Sequence, residues 1–255
     1  MLHVKNLNLV RSNRSILKSI NFELQDGVTA IIGPNGAGKT SLIKCLGGLV
    51  KDYDGHINFL ERNLLSYAPK EIAKIRAYAS QSNEVIFPFS AYDIVNLGRY
   101  ARGDELSLFE NNQIVEEVMT SFDIFNLKDQ NFNTLSGGEK QRVQLARVFA
   151  QIWELEGGLI FLDEPTSALD FSHQVRLFNL LTQKKESKNW KIVIILHDLQ
   201  AADMFADNIV LMNKGEIFKS GTTSGVLTED NLFQVYQTQI KKVTHEDTSL
   251  YSIFS

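Results

Sequence analysis

The chain of 255 residues has little cysteine, no long apolar run and no excess of basic residues. Its single cysteine, Cys45, excludes an intramolecular disulfide, and the apolar stretch around it, SLIKCLGGL, predicts a small core residue rather than a zinc ligand. No apolar run approaches the roughly 20 residues that a membrane span requires. The net charge of −4 argues against nucleic acid as a partner. Since the first residues alternate like a strand rather than forming a signal peptide, we expect a soluble, cytoplasmic protein.

Strand and helix patterns alternate along the chain, which predicts an α/β protein. The segment to about Leu24 is expected to form two strands joined by the polar turn RSNRS, and GVTAIIGPNGAGKTSLIKCL to form a strand, a glycine loop and a helix. Buried strands are predicted in GLIFLDEP and KIVIILHD, and a further strand in DNIVLMNKGEI. We therefore expect one domain, 1–255, with a largely parallel sheet and N-terminal antiparallel strands in a core of about 1–82 and 152–255. Apolar residues at helical spacing predict an inserted helical subdomain at about 83–151.

The stretch GPNGAGKT, residues 33–40, carries the strongest chemical pattern. It fits G-x-x-x-x-G-K-[ST] and lies between an apolar strand and a helix, as the phosphate loop of a P-loop NTPase core requires. Lys39 supplies a positive charge, and the hydroxyl of Thr40 can ligate Mg²⁺. An ordinary glycine turn is the alternative, which the strand-to-helix setting disfavours. The predicted nucleotide-binding residues here are Gly33, Pro34, Asn35, Gly36, Ala37, Gly38, Lys39, Thr40 and Ser41.

Two acidic residues end a second buried strand in LIFLDEP. Because ligands of an open parallel sheet lie beyond the carboxyl ends of its strands, Asp163 and Glu164 are expected beside the phosphate loop. Asp163 would hold Mg²⁺, mostly through water, and Glu164 would orient and deprotonate the attacking water. The alternative is an acidic turn that ends a strand. His197 follows the apolar run KIVIIL. By itself such a residue is more typical of a structural histidine, but together with the phosphate loop and the two acidic residues it is expected to sense the γ-phosphate.

A second glycine-rich helix start, TLSGGEKQRVQLAR, follows about a hundred residues after the first. Glycine costs a helix interior about 1 kcal/mol against alanine, so a pair at the first turn indicates that something approaches the backbone there. Helix-terminus electrostatics would let Ser136, Gly137 and Gly138 point N–H groups at a phosphate. One chain cannot easily direct both loops at one nucleotide. The phosphate is therefore expected to belong to the ATP of a partner.

These motifs closely resemble the ATPase subunits of ATP-binding cassette (ABC) transporters, over almost the whole chain. They occur in the family's order: Walker A at 33–40, a Q-loop at Gln81, the signature LSGGE at 135–139, Walker B with Asp163 and Glu164, a D-loop ending at Asp170, and the switch His197. The resemblance implies a head-to-tail homodimer that binds two ATP molecules, with Ser136 and Gly138 on the γ-phosphate across the dimer. It also implies that Asp170 couples the two sites and that Gln81 takes part in catalysis and links Mg²⁺ and water to a membrane-spanning permease. By itself, Gln81 is equally compatible with a plain solvent-facing residue.

The segment FPFSAYDIVNLGR, residues 87–99, is similar to that of importers of iron chelates, haem and cobalamin. The stretches VQLARVFAQIW, DEPTSALDFSHQ and HDLQAADMFAD are especially similar to haem importer ATPases. The resemblance implies a peripheral ATPase on the cytoplasmic face of the inner membrane that energises haem import, with a substrate-binding protein as an indirect partner. Ferric siderophore and cobalamin are alternative cargoes, and packing positions shared by many importers are an alternative explanation. A soluble iron-sulfur assembly ATPase of the same family is the rival of another class.

The chain departs from the family in the turn after its first strand. Family members usually carry an aromatic residue there that stacks on adenine, whereas LVRSNRS has none. We expect the guanidinium plane of Arg11 or Arg14 to stack in its place.

Overall fold

The computed structural model describes residues 2–80, 87–103, 105–245 and 248–254. The chain divides into two compact units, residues 1–67 together with 193–255, and residues 68–192. In chain order the elements are β1 (Leu2–Arg11), β2 (Arg14–Glu23), β3 (Val28–Ile32), α1 (Lys39–Leu46), β4 (Asp54–Phe59), β5 (Arg62–Asn63), α2 (Pro69–Ala73), β6 (Arg76–Ala79), α3 (Ala91–Asn96), α4 (Leu108–Ser121), α5 (Gly137–Ile152), β7 (Leu159–Leu162), α6 (Phe171–Lys188), β8 (Lys191–Ile195), α7 (Leu199–Phe205), β9 (Asn208–Asn213), β10 (Glu216–Thr222), α8 (Thr223–Val226), α9 (Glu229–Tyr236), β11 (Gln239–His245) and β12 (Thr248–Phe254). Short 3-10 turns cover Leu64–Ser66, Leu97–Ala101, Phe125–Leu127 and Phe132–Thr134. Strand β8 begins in the second unit and ends in the first.

Antiparallel strands form the N-terminal part of the first unit, in the order β2-β1-β4-β5. Ser12 and Asn13 make the turn between β1 and β2 with φ of +46° and +60°, the backbone that a two-residue hairpin turn requires. The predicted pair of strands joined by a polar turn is therefore confirmed.

A second set of strands in the first unit leads to the predicted phosphate loop. Strand β3 is buried along its whole length and pairs in parallel with β9, which pairs antiparallel with β10. Burial on both faces explains why VTAII is continuously apolar rather than alternating. Cys45, in the helix that follows the loop, is fully buried, as the sequence predicted. The C-terminal strands β11 and β12 form an antiparallel hairpin.

The second unit combines a parallel strand pair with helices. Strands β6 and β7 pair in parallel, with Ala79 opposite Leu162 at their carboxyl ends. The ring of Phe149 in α5 packs 4.9 Å from that of Phe122 and 5.7 Å from that of Trp190, measured between centroids. These aromatic contacts join three separate segments of the unit into one core.

The predicted α/β class, with parallel strands, antiparallel N-terminal strands and a helical region, is confirmed. The limits predicted for the core, 1–82 and 152–255, and for the helical subdomain, 83–151, stay a prediction. None of the helices within the described ranges is long and apolar enough to cross a bilayer.

Candidate nucleotide-binding site

The predicted phosphate loop joins β3 to α1 within the first unit. Gly33, Gly36 and Gly38 have φ of +146°, +79° and +99°, a region that residues with a Cβ rarely adopt. A Cβ at Gly33 would lie 2.3 Å from the carbonyl oxygen of Met212, and one at Gly38 would lie 3.0 Å from that of Ile16. Positions 33 and 38 therefore require glycine for two reasons: the backbone angle there disfavours a Cβ, and a Cβ would lie too close to a neighbouring carbonyl oxygen.

Lys39 is the first residue of α1, and its side chain folds back over the loop. It is buried, with 6% of its surface exposed, and its Nζ donates to the carbonyl oxygens of Gly33 at 2.7 Å and Pro34 at 3.1 Å. The residue before it, Gly38, has no side chain to cap α1, and the first turn contains no acidic residue. The N-terminus of α1 therefore combines a lysine charge with first-turn N–H groups that have no intrahelical acceptor, which suits an anion.

His197 lies two residues beyond β8 and is exposed. The N–H of the preceding residue, Leu196, donates to the carbonyl oxygen of Ile31 at 3.3 Å. Since Ile31 lies in β3, which enters the phosphate loop, the structure brings the segment of His197 and the loop together within one unit. Sensing of a phosphate by His197 stays a prediction.

Asp163 follows β7 in the second unit and is almost fully buried, with 3% of its surface exposed. Its N–H donates to the carbonyl oxygen of Ala79, and the phenol of Tyr78 in β6 donates to its Oδ2 at 3.2 Å. Burial, together with the charge of Asp163, raises the pKa of Tyr78 well above its usual value. The phenol therefore stays protonated at neutral pH, and Asp163 remains the acceptor in this hydrogen bond.

Glu164, the next residue, has a left-handed backbone with φ of +52°. For a residue with a Cβ this conformation costs about 1–2 kcal/mol. The N–H of Ser167 donates to the Glu164 carbonyl oxygen at 3.3 Å and closes the turn that follows. Other non-glycine residues, among them Leu60 and Lys214, adopt the same region, so the backbone angle of Glu164 does not by itself assign a function.

The predicted signature begins helix α5. Ser136 is its N-cap: the Ser136 N–H and hydroxyl both donate to Oε2 of Glu139, at 2.8 Å and 2.6 Å. A Cβ at Gly137 would meet no atom within 4 Å, whereas one at Gly138 would lie 3.4 Å from the carbonyl oxygen of Ala168. The space beside Gly137 is therefore open, whereas Gly138 packs against the backbone of Ala168.

The segment after Glu164 lies against the start of α5 and leads to Asp170. The amide of Gln141 donates to the carbonyl oxygen of Pro165 at 3.3 Å. Asp170 caps α6, and its Oδ1 accepts from the N–H of His173 at 3.0 Å and from the hydroxyl of Ser172 at 2.8 Å. These two donors, together with the His173 side chain, hold the pKa of Asp170 well below its usual value. The structure therefore brings the predicted signature and D-loop together within the second unit.

The roles predicted for Gln81, Arg11 and Arg14 stay predictions. Gln81 lies outside the described residues. Arg11 forms an ion pair with Asp52, while Arg14 is exposed. The residue that stacks on adenine stays a prediction.

Within the described ranges, no three or more histidine, cysteine, aspartate and glutamate side chains cluster in a way that could hold a metal ion. Mg²⁺ at a nucleotide needs no such cluster, since it is usually bound by one or two carboxylates together with phosphates and water. Thr40 in the first unit and Asp163 in the second each carry an oxygen donor, and their binding of Mg²⁺ stays a prediction.

Sequence reasoning assigned no individual role to three residues that contact the predicted site: Tyr78, Glu139 and His173. The pattern S-x-x-E from Ser136 to Glu139 is a capping box, and it could have identified Glu139. No sequence pattern links Tyr78 to Asp163, because 85 residues separate them.

Comparisons with known proteins agree with these motifs. A family model described as ABC transporter matches residues 17–167. The chain is 37% identical over 252 residues to the hemin import ATP-binding protein HmuV of Shewanella denitrificans, covering 98% of each chain. It is also 37% identical over 255 residues to the protein of that name from Hahella chejuensis, covering 97% of each. A solved structure in an inward-facing conformation, assigned to the metal-chelate type of ABC transporter, superposes with a TM-score of 0.78 at 27% identity and covers 99% of this chain and 96% of its own.

Proposed function

Because the chain belongs to the ABC transporter family and is an ATP-binding, ATP-hydrolysing member of it, we propose that it energises the import of haem through a membrane permease. The observation that carries the cargo is the 37% identity to hemin import ATP-binding proteins, which extends over 98% of this chain. A match of that length includes the surfaces that meet other subunits as well as the ATP motifs. A related iron chelate is the alternative cargo within the same proposal.

The ATP phosphates would bind at the loop of residues 33–41. Lys39 would exchange its contacts with the Gly33 and Pro34 carbonyl oxygens for phosphate oxygens, and the first-turn N–H groups of α1 would donate to the same anion. Thr40 and Asp163 are the protein oxygens that would hold Mg²⁺, with Gln81 as a third donor. When bound, Mg²⁺ neutralises charge on the phosphates.

Two side chains would act on the reaction itself. Glu164 would orient the attacking water and take its proton, and His197 would donate a hydrogen bond to the γ-phosphate. The position of Glu164, directly after Asp163 at the carboxyl end of the buried strand β7, supports this role.

A second copy of the chain would complete each ATP site. Ser136 and Gly137 are exposed in the single chain, and the space over Gly137 is open, which suits a phosphate carried by the partner. The signature of each subunit would therefore bind the γ-phosphate held by the other, and Asp170 would couple the two sites. ATP binding would close this head-to-tail homodimer, and hydrolysis would open it.

Exposed apolar side chains in the helical region support contact with a permease. Solitary exposed apolar residues are ordinary, and they mark a protein interface where they form one patch, which the proposal expects here. They include Phe87, Tyr100, Leu108 and Phe109, each at least 66% exposed. The subunit would then lie on the cytoplasmic face of the inner membrane, and a substrate-binding protein would reach it only through the permease.

The first experiment is to crosslink the protein mildly in its native cells and identify its companions by mass spectrometry. Recovery of a multi-span permease supports transport, whereas recovery of soluble iron-sulfur assembly proteins overturns it. The cargo is tested in cells that lack the chain and carry either wild type or Glu164→Gln. We expect growth on haem as the iron source to require the wild type. Loss of growth on ferric siderophore, with growth on haem intact, would contradict haem as the cargo.

A further inference from the structure

His173 lies between two parts of the predicted ATP site that sequence reasoning treated separately. Its Nδ1 is 2.8 Å from both carboxylate oxygens of Asp170, the predicted D-loop residue. Its Nε2 contacts Nη1 of Arg142, which lies 31 residues earlier in the chain on α5. Since α5 begins with the signature, one imidazole ring joins the D-loop to the signature helix.

The partners of His173 determine where its proton lies. The Arg142 guanidinium has donors only, so Nε2 must accept the hydrogen bond from Nη1. The single proton of a neutral ring is then on Nδ1, where it is donated to Asp170. The two contacts require the same tautomer, so either partner favours the arrangement that the other needs.

Charged groups surround this link on its outer side. Asp123 Oδ2 lies 3.6 Å from Nη1 of Arg142 and 3.8 Å from Nε2 of His173, and Arg176 lies 3.7 Å from Oδ1 of Asp123. The His173 and Arg142 side chains are 21% and 14% exposed, whereas Asp123 is 60% exposed. The contact with Arg142 is therefore largely shielded from water, which preserves its strength and direction, whereas Asp170 on the other side of the ring is 65% exposed.

Capping of α6 does not by itself explain why the imidazole of His173 contacts Arg142. Asp170 caps α6 through the backbone N–H of His173 and also accepts from Ser172, and neither bond uses the imidazole. The imidazole adds a contact to another helix, which a cap does not need.

We propose that His173 is a positioning residue that holds Asp170 to Arg142, so that the D-loop and the signature helix move together when ATP closes the dimer. This inference rests on the proposed function, since it assumes that Asp170 couples two ATP sites. It assigns a role to a residue outside the six motifs.

Two substitutions each retain one half of the link. His173→Asn keeps an amide donor near the Nδ1 position for Asp170, but it is too short to reach Arg142. His173→Gln places an amide oxygen near the Nε2 position for Arg142 and removes the donor to Asp170. His56→Gln, at an exposed histidine in β4, is the matched control.

The test measures ATP-driven dimerisation of each variant in a Glu164→Gln background, ATP affinity with a fluorescent analogue, and the melting temperature. We expect both half-link variants to keep nucleotide affinity and melting temperature while dimerisation weakens at least about fivefold, the lower end of typical coupling between sites. His56→Gln should match its parent. In the parent, ¹⁵N spectra of histidine-labelled protein should show the Nδ1–H tautomer for His173, assigned by its loss in His173→Gln.

The outcomes separate the link from the function on which it rests. An Nε2–H tautomer at His173 would overturn the link. So would a half-link variant that dimerises as its parent does. A loss of dimerisation that only follows a loss of melting temperature would also overturn it, because it would indicate general destabilisation. Failure of the Glu164→Gln parent to dimerise with ATP, with the Nδ1–H tautomer present, would instead overturn the proposed function and, with it, the coupling role.

Discussion

Glu164 places a carboxylate on a strained backbone, and the strain can be measured apart from the chemistry. Glu164→Ala and Glu164→Gly both remove the carboxylate and differ only in a Cβ. At φ of +52° a Cβ costs about 1–2 kcal/mol, which glycine avoids. Against this, the glycine variant loses about 0.4–1 kcal/mol of folding stability relative to alanine, because its unfolded chain has more conformational entropy. The balance predicts that Glu164→Gly is more stable than Glu164→Ala by roughly 1 kcal/mol.

Urea unfolding of the two variants checks this prediction. The free energy of unfolding of small proteins falls by about 1–3 kcal/mol per molar urea, so the unfolding midpoint of Glu164→Gly should lie about 0.3–1 M above that of Glu164→Ala. The same pair at Glu116, an exposed residue in the interior of α4, is the matched control. There the order should reverse, since glycine destabilises a helix interior by about 1 kcal/mol against alanine.

Turnover gives the second half of the test. Both variants, and also Glu164→Gln, should lose about 10²–10⁴-fold in ATP hydrolysis if Glu164 is the general base, while ATP binding is retained. An alanine variant as stable as the glycine variant would refute the strain argument. Near-normal phosphate release from Glu164→Gln would refute the assignment of the base and leave the strain argument intact.

Two further predictions concern the Mg²⁺ ligand and the phosphate loop. Tyr78→Phe removes the hydrogen bond that orients the Asp163 carboxylate, and loss of such a partner of a metal ligand typically costs about 10–100-fold in metal affinity, so the Mg²⁺ concentration for half-maximal hydrolysis should rise about tenfold or more. A titration of turnover against Mg²⁺ measures this, and an unchanged midpoint would show that Asp163 needs no support from Tyr78. Gly33→Ala should abolish binding of a fluorescent ATP analogue, because its Cβ would lie 2.3 Å from the Met212 carbonyl oxygen. Gly36→Ala, where a Cβ meets no atom within 4 Å, should retain more binding, and equal loss in both would contradict the steric explanation.

The parts of the site that could be predicted from sequence are those whose chemistry lies in one short stretch. In GPNGAGKT the glycines, the lysine and the following helix are contiguous, so the pattern alone predicted a strand, a loop and a helix, and the structure has β3 and α1 there. The buried strand before Asp163 was predictable for the same reason, because a continuous apolar run needs no knowledge of the rest of the fold.

The missed contacts depend on tertiary structure. Tyr78 reaches Asp163 only because β6 and β7 pair in parallel with Tyr78 opposite Phe161. No local pattern specifies which strand lies beside which. His173 likewise reaches Arg142 only through the packing of two helices that are distant in sequence. The prediction that Arg11 or Arg14 stacks on adenine was made without knowledge of Asp52, which lies 41 residues from Arg11 and pairs with it.

Ser136 shows how local structure and the proposed chemistry act on the same atoms. Its hydroxyl proton is directed at Oε2 of Glu139 at 2.6 Å, so the hydroxyl cannot donate to a phosphate without leaving that carboxylate. The N–H groups of Gly137 and Gly138, in the first turn of α5, have no intrahelical acceptor and need no such exchange. A partner's phosphate would therefore meet the backbone N–H groups first. In the proposed homodimer the two glycines would thus provide the initial contact, and the serine would strengthen it once the cap has opened.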